Sequence, residues 1–185
     1  MRKYISLLIG LGFFFVAIAQ EKPIDLSGLW RFQLDPMGFG KTPGSELYLS
    51  KLTESMPGSM DESGKGIPNA VSHVDRLSRK FEYCGQAWYQ REVEIPESWQ
   101  GKEIILTLER CHWETRLWVD DIEVGMQNAL GAPHQYDLSD VLRSGKHTLT
   151  LRIDNRIKDI DPGENSHSIS DHTQGNWNGV VGDMY

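Results

Sequence analysis

The chain has 185 residues, 39% of them hydrophobic and 24% charged, with a formal net charge of −7. That composition suits one domain able to bury a core of its own and excludes wholesale disorder. The acidic balance offers no basic block to meet phosphates, so no nucleic-acid partner is expected.

Residues 1–19 read as a signal peptide. Arg2 and Lys3 precede an apolar run from Ile5 to Ala19, and Ala17-Ile18-Ala19 is the small-x-small ending that signal peptidase accepts. The run is shorter than the ~20 apolar residues of a membrane span. No basic flank follows it, and no Cys follows to carry a lipid. The expectation is an exported chain, periplasmic or extracellular, with no membrane span after cleavage. Losing Arg2 and Lys3 makes the mature chain, 20–185, more acidic still.

Strand patterns then recur. Across 29–35, Trp30, Phe32 and Leu34 alternate with Arg31, Gln33 and Asp35, which places the apolar set on one strand face. Residues 36–70 are rich in Gly, Ser, Pro and Met and read as a long loop with little structure of its own. Tyr89, Arg91, Val93 and Ile95 alternate with Gln90, Glu92 and Glu94 until Pro96 ends the strand. Ile104, Leu106 and Leu108 form the next apolar face, and Trp113, Thr115, Leu117 and Val119 the one after. Asp120-Asp121 reads as a tight hairpin turn. Residues 138–142 suit one helical turn. Leu149, Leu151 and Ile153 alternate with Thr148, Thr150 and Arg152. Short strands at this spacing predict an all-β antiparallel sandwich. Residues 159–178 are polar and dense in His, Asn and Asp. The run 179–185 begins like a strand and stops, so the sequence reads as a fragment of a longer protein.

The only two cysteines are Cys84 and Cys111. An oxidising compartment would permit a bond between them. Two free, buried thiols are the other reading, and the one preferred. Cys111 and His112, adjacent in a strand, point to opposite faces, which argues against a catalytic pair. Of Trp113 and Trp118, one is expected in the core and the other toward a neighbouring domain or solvent. His167, Asp171 and His172 match no metal template, and no metal is expected.

Five segments in order carry a resemblance. Leu26-Ser27-Gly28-Leu29-Trp30-Arg31-Phe32 opens it, and Ala87-Trp88-Tyr89-Gln90-Arg91 with Ile95-Pro96 follows. Leu117-Trp118-Val119-Asp120-Asp121-Ile122-Glu123-Val124-Gly125 comes third. The fourth is Tyr136-Asp137-Leu138-Ser139-Asp140-Val141-Leu142, running on through Gly145 to Asn155. Trp177-Asn178-Gly179-Val180-Val181-Gly182 closes the set. Together they resemble the N-terminal domain of family 2 glycoside hydrolases, the family of β-galactosidases, β-glucuronidases and β-mannosidases.

The resemblance implies a galactose-binding-like jelly-roll β-sandwich, with immunoglobulin-like and TIM-barrel domains downstream in the same polypeptide. It implies hydrolysis of β-linked O-glycosyl bonds with retention, by two Glu residues of the barrel. No catalytic residue is then expected in this chain, no cofactor is implied, and a carbohydrate is the expected substrate. The family often places a sugar-reaching Asp where this sequence has Thr173, and Asp171 could substitute on the same side of an extended loop. Asp171, His172, Thr173, Asn176 and Asn178 are therefore the candidate substrate-binding residues, since carboxylates and amides pair with sugar hydroxyls. Trp177, entering a strand, is expected in the core. Gln127, Asn128 and His134 flank a loop that would meet substrate, meet the next domain, or simply be solvated. A stand-alone, non-catalytic carbohydrate-binding module is the competing reading.

Overall fold

A computed structural model describes residues 21–40, 53–72, 74, 78–156 and 176–185. The signal-peptide reading of 1–19 and the candidates Asp171, His172 and Thr173 lie outside the described residues. Among the described residues, no helix is long and apolar enough to cross a membrane.

Thirteen strands are described. The larger layer is built from β1 (Gly28–Asp35), β2 (Thr53–Met56), β6 (Gln86–Ile95), β9 (Glu114–Val119), β10 (Ile122–Gln127) and β12 (Gly145–Asp154). They pair in the order β10-β9-β12-β6-β1-β2, all antiparallel. The facing layer holds the ribbon β11 (His134–Asp137) with β7 (Ile105–Leu108). It also holds the trio β3 (Gly58–Ser59), β13 (Gly179–Val180) and β8 (Cys111–His112). Residues 183–185 tie the two pieces: Met184 bridges Leu108, and Thr107 and Tyr185 exchange backbone hydrogen bonds. A small ribbon, β4 (Ile67–Pro68) with β5 (Phe81–Glu82), stands apart. The result is the all-β sandwich expected from the alternation.

Period-two patterning explains the layers. Phe32, Tyr89 and Leu151 are register neighbours across β1, β6 and β12, and all are essentially fully buried. Trp30, Leu117, Val119 and Ile153 share their core with Leu106, Leu108, Tyr136 and Val180 of the other layer. Trp30 Nε1–H donates to Leu26 O at 3.0 Å, so its one polar atom is satisfied. Between β9 and β10, Asp120 adopts φ 51°, a region Asp tolerates better than most residues. Its carboxylate accepts the Thr148 N–H at 2.8 Å and meets His147 Nδ1 at 2.7 Å, which anchors the hairpin tip. The helical turn over 138–142 is present, closed by Leu142 N–H to Leu138 O at 2.8 Å.

Several expectations are revised. The expected long loop over 36–70 is revised among its described residues, 36–40 and 53–70, because β2, β3 and β4 lie there and β2 completes the edge of the large sheet. Their strands are too short to show a period. Trp113 leaves the core set: it precedes β9, is half-buried and sits edge-on to His112. Trp118, on the outer sheet face, is 1% exposed and packs on Trp88 at 5.2 Å. Arg152 covers Trp88 and pairs with Glu114 at 3.0 Å, while Trp88 Nε1–H donates to Asp35. His134 joins a buried network instead of a loop surface, with Nδ1 2.6 Å from Thr115 Oγ1 and Nε2 2.9 Å from Ala129 O. Cys84 and Cys111 are unpaired as preferred, but only Cys111 is buried. Burial pushes its thiol up to about 12.

Two outcomes are expected. Leu151→Ala, which empties a core site, should lower stability by ~2–5 kcal/mol in urea titration, while Ile122→Ser on the exposed edge changes it by less than ~0.5 kcal/mol. Iodoacetamide should alkylate Cys84 in the folded chain and reach Cys111 only after unfolding, as peptide mapping would show.

Candidate functional site

The short trio β3-β13-β8 draws three distant segments together at one end of the sandwich. Gly179 pairs with Ser59 on one side and His112 on the other. Its φ is 144°, and a Cβ there would lie 2.3 Å from Gly58 O, so only glycine lets the strands close this tightly. Beside the trio opens a cleft of about 820 Å³, bordered by Ser59, Glu62, Arg79, Arg110, His112 and Trp177.

The cleft floor is aromatic. The His112 ring stacks on Trp177 at 4.7 Å and 24°. His112 Nε2 lies 3.1 Å from Asn176 Oδ1. An amide oxygen only accepts, so Nε2 carries the proton and Nδ1 is a bare acceptor. Nδ1 has no hydrogen-bond partner. Burial, with a smaller push from Arg79, holds His112 down to about 4 against the Asn176 contact. It is therefore neutral across the physiological range.

The rim is charged, and most of its charges are engaged. Asp61 Oδ1 accepts the Phe81 N–H at 2.7 Å, and Glu62 Oε2 accepts both the backbone N–H and the hydroxyl of Ser59 at 3.0 Å. Arg79 donates to Asn176 O and lies 3.8 Å from Glu82. Arg110, exposed and at φ 54°, borders the cleft with no side-chain partner among the described residues. Its backbone carbonyl accepts the Val181 N–H at 3.2 Å, which holds the residue in place. Among the described residues no group of three metal-ligating side chains comes together.

The sequence candidates divide. Asn176 adjoins the cleft residues His112 and Trp177, its Oδ1 on His112 and its Nδ2–H toward Cys84 Sγ at 3.8 Å. Asn178 is 2% exposed and turned inward, its Nδ2–H groups donating to Gly85 O at 3.2 Å and Ile153 O at 3.5 Å. Its backbone carbonyl accepts the Met60 N–H at 2.9 Å, which ties the β3 turn to the closing segment. Trp177 is half-buried on the cleft, a correction to its expected place in the core. Sequence reading missed His112, Arg79 and Arg110. The alternation that sends Cys111 to the core sends His112 to the other side, and that was the available signal for it.

Fold and cleft together define a β-sandwich domain of the jelly-roll class. Residues 24–184 match the model of "Glycosyl hydrolases family 2, sugar binding domain", and the chain belongs to that family. It is similar to the β-glucuronidase of Canis lupus familiaris, 28% identical over 141 residues, covering 72% of this chain and 21% of the relative. The β-glucuronidase of Paenibacillus borealis is 25% identical over 134 residues, covering 72% and 21%. A solved β-glucuronidase from Ruminococcus gnavus in complex with uronic deoxynojirimycin superposes with a TM-score of 0.58 at 25% identity, covering 74% of this chain and 22% of that one. The chain thus spans about a fifth of the length of the relatives it matches.

The buried imidazole gives a pH signature. Unfolded His takes its proton near pH ~6.5, folded His112 near about 4. Between those values the unfolded state binds more protons, so this contribution to stability falls as pH falls. His112→Gln should remove an acid-side loss on the order of 3 kcal/mol, read as the difference between the two proteins' urea stabilities at several pH values.

Proposed function

We propose that this chain is the front, sugar-binding domain of an exported family 2 glycoside hydrolase acting on a β-linked uronide. The observation that carries the reading is the cleft itself. The half-buried Trp177 ring, backed by the fully buried His112 stacked on it, offers the flat apolar face that a pyranose packs against, with Asn176 hydrogen-bonded to His112 beside it. Asp171, His172 and Thr173 lead directly in sequence to Asn176 and complete the substrate-binding set in this reading. Asn178 acts from beneath by fixing the segment.

Charge favours a uronide over a neutral sugar. The cleft carboxylates Asp61 and Glu62 are already engaged by N–H groups, while the Arg110 side chain has no partner among the described residues. A guanidinium can hold a sugar carboxylate with two parallel hydrogen bonds. The relatives' description as β-glucuronidases points the same way. Bond cleavage is assigned to a carboxylate pair elsewhere in a longer polypeptide, because the matching family motifs are absent from these 185 residues.

In the complete gene product, Asp171→Ala and Asn176→Ala should each lower kcat/KM on p-nitrophenyl β-D-glucuronide by ~10-fold or more, about 1.4 kcal/mol. Arg110→Ala should lower it more for the glucuronide than for the matching glucoside. Unchanged values would remove the cleft from substrate recognition. Nitrophenol release by the 185-residue chain alone would overturn the division of labour. A stop codon directly after Tyr185 would favour the non-catalytic module. N-terminal sequencing of secreted protein should begin at Gln20.

A further inference from the structure

Beneath the cleft wall lies a carboxyl group for which the sugar-binding reading has no use. Glu54 in β2 pairs in register with Trp30, so its side chain shares the core-facing side of the sheet. It is 2% exposed, and among the described residues neither carboxylate oxygen has a hydrogen-bond partner in place, the Ser63 hydroxyl lying near but exerting only a minor pull. A buried acceptor left unpaired is disfavoured, and a buried charge much more so.

The groups facing it come from two elements. Tyr89 approaches from β6, and Ser63 and Lys65 from the turn that follows β3. The neighbouring strand β1 contributes Trp30 and Phe32, which do not titrate. The Lys65 ammonium lies 5.9 Å from the centre of the Phe32 ring, resting on an aromatic face instead of on the carboxylate. Tyr89 cannot help as an acid, because complete burial holds its phenol well above its usual range. Burial pushes the Glu54 carboxyl up to about 7, against the opposing pull of Lys65 and Ser63.

The turn that carries Ser63 and Lys65 also forms the cleft wall. Ser59, Asp61 and Glu62 line the cleft. Lys65 N–H donates to Met60 O at 2.8 Å, and Met60 N–H donates to Asn178 O at 2.9 Å. A pull on Lys65 is thereby passed to the residues beside Asn176 and Trp177.

We propose that Glu54 is a proton-operated latch under the cleft wall: when it loses its proton to solvent, the carboxylate draws Lys65 off the Phe32 ring and shifts the 59–65 turn. The proposal goes beyond the sugar-binding reading and does not rest on it. The sign follows from linkage. The folded state holds the proton more tightly than the unfolded chain does, so the stability Glu54 contributes is full at low pH. It is lost as pH rises through about 7.

The test is an NMR titration of the full chain with 13C-labelled glutamate, following the Glu54 carboxyl and the backbone amides of 59–65. The expected result is a Glu54 midpoint near neutrality with the turn amides moving at the same midpoint. Glu54→Gln should abolish that movement. Lys65→Met should raise the Glu54 midpoint and silence the turn's response, and it reads the coupling even if the first variant folds poorly. Silent turn amides while Glu54 titrates, a midpoint in the ordinary carboxylate range, or an unchanged response in Glu54→Gln would each overturn the latch.

Discussion

The insertion of β13 between β3 and β8 is the constraint on which the cleft depends. The gap admits a backbone but not a Cβ, as the 2.3 Å approach of Gly58 O to the Gly179 position requires. Residues near 58, 111 and 178 meet there although more than fifty positions separate each from the next. Val181 and Gly182 continue the pairing to Arg110 and Glu109 by backbone hydrogen bonds. Most of the side chains that line the cleft are carried on, or within three residues of, these paired backbones, while Ser78, Arg79 and Leu130 come in from elsewhere. Rigid strands therefore set the geometry of the site, and loops supply its chemistry.

Behind the cleft, amides do the holding. Asn155 Oδ1 accepts the Gly85 N–H at 2.8 Å, and its Nδ2–H groups reach Tyr83 O and Trp177 O at 2.8 and 3.2 Å. Asn178 acts on the same Gly85, donating to its carbonyl and to Ile153 O. Such satisfied buried amides fix loop backbones without placing charge in the interior. The exceptions stand out against that background. His112 stays neutral with one bare nitrogen, and the Glu54 carboxylate oxygens have no hydrogen-bond partner among the described residues. The two groups pull stability in opposite directions across mildly acid pH, so a nearly flat profile for the intact protein would conceal both.

The outer face of the large sheet shows the limit of a simple inside–outside rule. Trp88 and Trp118 lie opposite the main core yet are almost fully buried, forming an aromatic pair of their own. Arg152 over Trp88, and the hydrogen-bonded row of Arg31, Gln90 and Thr150, extend a tightly packed polar surface across that face. Strand alternation therefore separates two different packed environments here, not simply oil from water.

The longer strands and their faces were legible in the residues alone, because a side-chain period of two is a local property that each stretch carries; the order in which they pair was not. The sequence also carried the family, since five spaced segments lie in one line of residues. It determined too that Asn176 stands with Trp177 and Asn178 just before the closing strand. Only the tertiary structure decided that Asn176 meets His112, that Trp177 faces a cleft, that Asn178 turns inward and that Glu54 lies unpartnered beneath the wall. Those facts depend on contacts between segments far apart in the chain, and on strands of two residues, too short to display any period. Long-range pairing leaves no local trace in composition or spacing, which is why the fold was legible and much of the site was not.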